Sequence, residues 1–127
     1  MKHVLEELAI VTADRAGLLA EVAERLGEAG LNIETICAST HAGTAVIRLV
    51  VDDGAGAAML LKEQGYEVEA RQALVATLDD RPGELAAYCR RLAASGVNLA
   101  AAYVNRRVAG ETELIVVVEN GAPPVDA

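Results

Sequence analysis

Apolar positions along this chain recur first at every second residue, then at helical spacing, then at every second residue again, and each switch marks a new element. Val4 to Thr12 is apolar and partly alternating, which predicts a strand ending at the Ala13-Asp14-Arg15 loop. Leu18, Leu19, Val22, Ala23 and Leu26 then form an i, i+3, i+4 stripe, with Glu21, Glu24, Arg25 and Glu28 mostly opposite, a helix that Gly30 closes. Leu31 to Thr40 and Thr44 to Asp52 read as strands joined by a His41-Ala42-Gly43 hairpin. Ala57 to Gln64 is a second helix, closed by Gly65, and Tyr66 to Ala70 alternates as a last strand. The order is βαββαβ, an α+β ferredoxin-like sandwich with both helices on one face of an antiparallel sheet.

The chain then repeats itself. Asp14-Arg15-Ala16-Gly17 returns as Asp80-Arg81-Pro82-Gly83, and Gly30-Leu31-Asn32-Ile33 returns as Gly96-Val97-Asn98-Leu99, each pair 66 residues apart. Gln72 to Leu78 is the repeated strand, Leu85, Cys89 and Leu92 mark the buried line of the repeated helix, and Asn98 to Asn105 with Glu111 to Val118 form the repeated hairpin. Glu119 to Ala127 contains Gly121, Pro123 and Pro124 and is expected to form neither helix nor strand. Two tandem domains result, 1–71 complete and 72–127 truncated to βαββ. A half lacking its last helix and strand leaves an edge and part of an apolar face open, to be covered by the first half or by a second chain, which predicts a homodimer.

Composition narrows the function. The chain has 127 residues and is 53% hydrophobic with three Tyr and no Phe or Trp, so the core is built from aliphatic side chains. A formal charge of −8, with basic pairs only at Arg90-Arg91 and Arg106-Arg107, argues against a nucleic-acid surface. No stretch approaches a membrane span, and Glu6 and Glu7 interrupt the place where a signal peptide carries its apolar run, so the expected location is the cytoplasm. Cys37 and Cys89 fit reduced thiols there, with Cys89 expected in the core.

Candidate chemistry sits in the repeated residues. Asp14 and Asp80 stand at or just before a helix start, where a carboxylate can cap free backbone N–H groups, and Pro82 suits a first helical turn. Gly17 and Gly83 let another group, a carboxylate for instance, approach those same donors. Asn32 and Asn98 either satisfy turn backbone or offer a donor and an acceptor to a polar ligand. Arg15 and Arg81 read as solvated salt-bridge partners or as carboxylate binders. Cys37, His41 and His3 lack a recognised metal-ligand spacing, and no nucleophile, base and orienting group form a triad, so neither a metal, a cofactor nor catalysis is expected.

The patterns Asp-Arg-x-Gly-x-Leu-Ala and Gly-hydrophobic-Asn-hydrophobic resemble the signature of the ACT domain, a βαββαβ regulatory module. The first copy covers essentially a whole domain, and the second resembles its first two-thirds. Gly96-Val97-Asn98-Leu99-Ala100-Ala101 is similar to the serine-sensing version in phosphoglycerate dehydrogenases. The resemblance implies a free amino acid held at an interface between domains, the loop after strand one coming from one domain and the strand-two asparagine from its neighbour. Asp14 and Asp80 would then face the ligand ammonium and the backbone at Gly17 and Gly83 its carboxylate. Asn32 and Asn98 would hydrogen-bond it, with Ala16, Leu18, Ile33, Pro82 and Leu99 beside them. Ala16 departs from the proline usual in that loop. An alternative is a protein-binding regulatory subunit of an amino-acid biosynthetic enzyme, because Asn32-Ile33-Glu34-Thr35 is similar to a segment of the acetolactate synthase small subunits.

Overall fold

The computed structural model describes residues 3–119, and the chain divides into two units, Glu6–Arg71 and Met1–Leu5 together with Gln72–Ala127. The first unit holds most of β1 (His3–Ala13), then α1 (Leu18–Glu28), β2 (Ile33–His41), β3 (Thr44–Val51), α2 (Gly54–Glu63) and the opening residues of β4 (Val68–Asp79). Strand β3 pairs antiparallel with both β1, from Leu8↔Leu49 to Ala13↔Thr44, and β2, from Ile33↔Val51 to His41↔Thr44. The β2–β3 turn places Ala42 and Gly43 both at positive φ, 49° and 82°, as a two-residue primed turn requires.

The period-two pattern sends Leu8 and Ile10 of β1 and Ala45, Ile47, Leu49 and Val51 of β3 to one face, where Leu18, Val22 and Leu26 of α1 and Ala57 and Leu61 of α2 cover them. Burying each large aliphatic chain contributes about 1.5–3 kcal/mol. On the alternate register of β1, Glu7 is fully buried, and its Oε1 accepts from Arg48 Nη1 at 2.9 Å. A carboxylate withdrawn from water needs such a partner.

The second unit takes the first residues of β1 up to Leu5, β4 from Gln72 onward, α3 (Glu84–Ala94), β5 (Leu99–Val108) and β6 (Glu111–Val118). Here β6 pairs antiparallel with β4 and β5. Leu74, Ala76, Leu114 and Val116 face Tyr88 and Leu92 of α3, while Ala73, Val75, Ile115 and Val117 form a separate buried cluster on the other face, with Leu5 and Tyr103 packed against it.

Two sequence expectations are corrected. Tyr66 to Ala70 and Gln72 to Leu78 are not two strands: from Val68 to Asp79 the chain runs as one, since Ala70-Arg71-Gln72 holds no turn-forming residue. Helix burial is narrower than the stripe implied: Leu19, Ala23 and Leu85 are exposed and Cys89 is only half-buried, because the true inward lines are Leu18, Val22, Leu26 and, in the copy, Tyr88 and Leu92. The expectation for the C-terminal segment falls, from residue 120 onward, outside the described residues.

Two buried polar groups give opposite expectations. The Tyr88 hydroxyl is buried without a hydrogen-bond partner among the described residues, and burial raises its pKa. Removing it relieves a desolvation penalty, so Tyr88→Phe should leave stability unchanged or raise it by about 1 kcal/mol in chemical denaturation. A loss larger than that would show the hydroxyl to be satisfied. Arg48→Leu deprives the buried Glu7 carboxylate of its guanidinium and should cost about 2–4 kcal/mol, a little below the range for fully buried pairs because Arg48 keeps some contact with water.

Candidate functional site

The loop between β1 and α1 is tied to the hairpin tip by a hydrogen bond from Asp14 N–H to the Gly43 carbonyl, 2.9 Å. The chain then turns into α1 through Gly17, whose φ of 84° is left-handed and unfavourable for residues with a Cβ. Gly17 occupies the N-cap position and no side chain caps the helix, so the expected capping by Asp14 does not occur. Leu18 N–H reaches the Arg15 carbonyl at 3.3 Å, while the N–H groups of Leu19 and Ala20 have no backbone acceptor among the described residues. By contrast α2 is capped by Asp53, whose side chain accepts from Gly56 N–H at 3.0 Å.

Beside this uncapped helix start lies a cleft of about 460 Å³ within the first unit. Asp14, Arg15 and Gly17 supply its loop wall, Leu18, Leu19 and Ala20 its helix wall, and Ala38, Ser39, Thr40, Ala45 and Ile47 its strand wall. Arg15 donates to Glu21 Oε2 at 2.7 Å, and the Tyr66 hydroxyl donates to the same carboxylate. The Tyr66 hydrogen bond holds the Glu21 carboxyl below its ordinary pKa, against a smaller effect of burial, with Arg15 acting in the same direction as Tyr66. Burial and the facing Glu21 carboxylate raise the Tyr66 pKa.

The second unit repeats the construction. Asp80 N–H donates to the Gly110 carbonyl at 2.8 Å, Gly83 sits at the N-cap of α3 with φ 89° and no side-chain cap, and a cleft of about 290 Å³ opens there. Most wall positions correspond, although Ala20 and Ser39 line only the first cleft and Leu78, Asp79 and Pro82 only the second. Asp80, Arg81 and Gly83 stand for Asp14, Arg15 and Gly17, and Glu84 and Leu85 for Leu18 and Leu19. Across the strand wall, Val104 paired with Leu114 replaces Ala38 paired with Ile47, and Arg107 paired with Thr112 replaces Thr40 paired with Ala45. The added residue in the copied hairpin is absorbed by a register shift between Val104 and Arg106, which β2 lacks.

The clefts differ in charge. In the second, Arg81 bonds Glu84 at 2.6 Å and Asp79 at 3.0 Å, and Arg107 lies 3.6 Å from Asp80. In the first, Arg15 is bonded to Glu21, and Asp14 has no ion-pair partner among the described residues.

Of the residues expected from sequence, Asp14, Gly17 and Leu18 meet in the first cleft and Asp80, Pro82 and Gly83 in the second, while Ala16 is exposed outside the cleft wall. The asparagines lie elsewhere. Asn32 precedes Ile33 at the β2 end opposite the hairpin, roughly 30 Å along an extended strand from His41. The Asn32 backbone is bonded twice to Asp52, its N–H donating to the side-chain Oδ1 at 3.0 Å and its carbonyl accepting from Asp52 N–H at 3.1 Å. Among the described residues its side-chain amide makes no hydrogen bond. Asn98 accepts from Glu119 N–H at 2.9 Å, and its side chain donates to the Glu119 carboxylate. Ile33 and Leu99 pack half-buried against the cores of their own units.

Sequence reasoning missed Leu19, Leu85, Ala38, Val104, Thr40 and Arg107 as cleft residues. The signal for the leucines was present: each lies one residue off the i, i+4, i+8 line that reaches the core, and so points beside it. Among the described residues no three His, Cys, Asp or Glu side chains are grouped to hold a metal, and no helix is long and apolar enough to cross a membrane.

Solved structures share this fold. Protein BT0572 from Bacteroides thetaiotaomicron superposes with a TM-score of 0.81 at 24% identity, over 94% of this chain and 82% of that one. The ligand-free regulatory subunit of aspartate kinase from Thermus thermophilus gives 0.66 at 15% identity, over 92% and 85%. Aspartate kinase from Clostridium acetobutylicum gives 0.65 at 11% identity, over 92% of this chain but 30% of the longer enzyme. No curated protein sequence matches the chain. A family model described as an ACT domain pair matches residues 3–122, nearly the whole length, and the repeated strand, glycine loop and helix are what such a pair consists of: the chain belongs to the ACT-domain-pair family.

Proposed function

We propose that this ACT domain pair is a regulatory protein that senses a free amino acid. The observation that carries the reading is the uncapped start of α1, where the free N–H groups of Leu19 and Ala20 and the Asp14 carboxylate border one cleft. An amino acid carries the complementary pair, a carboxylate for the N–H groups and helix dipole and an ammonium for Asp14. Gly83 and Asp80 present the same backbone in the second unit. Because Asn32 and Asn98 stand at the far ends of their strands, they reach a ligand only from a neighbouring ACT domain, and of the two only Asn32 has a disengaged amide.

A second reading, as a protein-binding subunit of a metabolic enzyme, draws on the outer strands. Among the described residues β2 hydrogen-bonds only to β3 and β5 only to β6, so each offers a free edge. A structure of the same fold is the regulatory subunit of an aspartate kinase, which supports this reading. Free edges also serve a homodimer.

A thermal-shift screen against the common amino acids should find at least one that raises Tm, since saturating a native-state site adds RT ln(1 + [L]/Kd). Asp14→Asn should weaken that ligand about 10- to 100-fold, and Asn32→Ala about 5-fold, with the apo Tm little changed. No response to any amino acid, combined with recovery of a large enzyme subunit in a pull-down, would replace this reading by the second. Sedimentation at micromolar concentration should show a dimer; a stable monomer would refute the edge-paired assembly.

A further inference from the structure

We propose that the chain has one working ligand cleft, the one beside Asp14, and that it accepts an amino acid with a neutral aliphatic side chain. The inference rests on the amino-acid reading above and assigns the ligand class and the number of sites. It follows from comparing the two clefts position by position.

The apolar lining of the first cleft is Leu18, Leu19, Ala20, Ala38, Ala45 and Ile47, and its strand wall is otherwise Ser39 and Thr40. Its guanidinium, Arg15, is already neutralised by Glu21, which Tyr66 also engages. No charge in this wall is left to pair with a ligand's side chain once Asp14 holds the ammonium. A charged side chain would be desolvated without compensation, whereas a branched aliphatic one meets leucine, isoleucine and alanine. The two alanines of the strand wall provide room that Val104 and Thr112 partly fill in the copy, in keeping with volumes of about 460 and 290 Å³.

The second cleft is internally satisfied. Arg107, standing where the first has Thr40, gives Asp80 its own cation 3.6 Å away, so an incoming ammonium would have to compete with a guanidinium. Glu84 replaces Leu18 at the first residue of the helix and, with Asp79, occupies Arg81. A ligand carboxylate entering there meets three carboxylates and two arginines already engaged by them.

Calorimetric titration of the full chain with leucine, isoleucine, valine, aspartate and lysine tests the assignment. The expected result is one equivalent of an aliphatic amino acid per chain, at least tenfold tighter than aspartate or lysine. Thr40→Arg, an exposed strand position, should lose at least tenfold in affinity with its Tm unchanged, and the double variant R107T/E84L should gain a second equivalent. Two equal sites in the wild type, preference for a charged amino acid, or full binding by a folded Thr40→Arg would overturn the inference while leaving the amino-acid reading intact. Absence of binding by every amino acid would overturn both.

Discussion

Both halves of this chain depend on one backbone contact made twice: the first residue after the opening strand donates its N–H to the glycine carbonyl at the tip of the hairpin, Asp14 to Gly43 and Asp80 to Gly110. That bond holds the loop against the β2–β3 or β5–β6 turn and fixes the direction from which the helix must start. The helix can then be entered only through a left-handed residue, Gly17 or Gly83. The cleft is the space left between the loop so anchored, the first helical turn and the two hairpin strands. Loop, glycine and hairpin therefore vary together or not at all, and this is why the sequence repeats most clearly at Asp-Arg-x-Gly.

Within that shared frame the walls have diverged. Two changes, Thr40 to Arg107 and Leu18 to Glu84, convert a mainly apolar recess, whose Asp14 carboxylate has no ion-pair partner among the described residues, into a surface of mutually satisfied charges. The exposed ion pairs contribute little to stability. Their effect is on what can enter, since a ligand must displace partners that are already in place.

The element order, the internal duplication and the residues of the two loops were legible in the sequence because each follows from a local rule: period two for strands, the i, i+4 line for helices, glycine where φ must be positive. Three things were not. The continuity of β4 depends on the absence of a turn residue across Ala70-Arg71-Gln72, which is weaker evidence than the presence of one. The membership of Leu5 in the second unit is a long-range packing fact with no local trace. The strand walls of the clefts depend on which face of β2 and β5 turns toward the helix and on a register shift at Val104 to Arg106, and neither is written in residue spacing.

The contrast among the three helices gives these parts a common cause. Helix α2 is capped by Asp53 in the ordinary way, and a cap of that kind is worth about 1 kcal/mol. Helices α1 and α3 forgo it, although in each loop an aspartate stands three residues before the capping position. A serine or aspartate at Gly17 or Gly83 would need a strained left-handed φ and would place its own oxygen on the N–H groups now facing the cleft. Glycine avoids that strain and, having no side chain, leaves the backbone donors open. In the first unit those donors border a recess lined mainly by aliphatic side chains and Asp14, and in the second a recess lined by Asp79, Asp80 and Glu84, so one backbone frame carries two different surfaces.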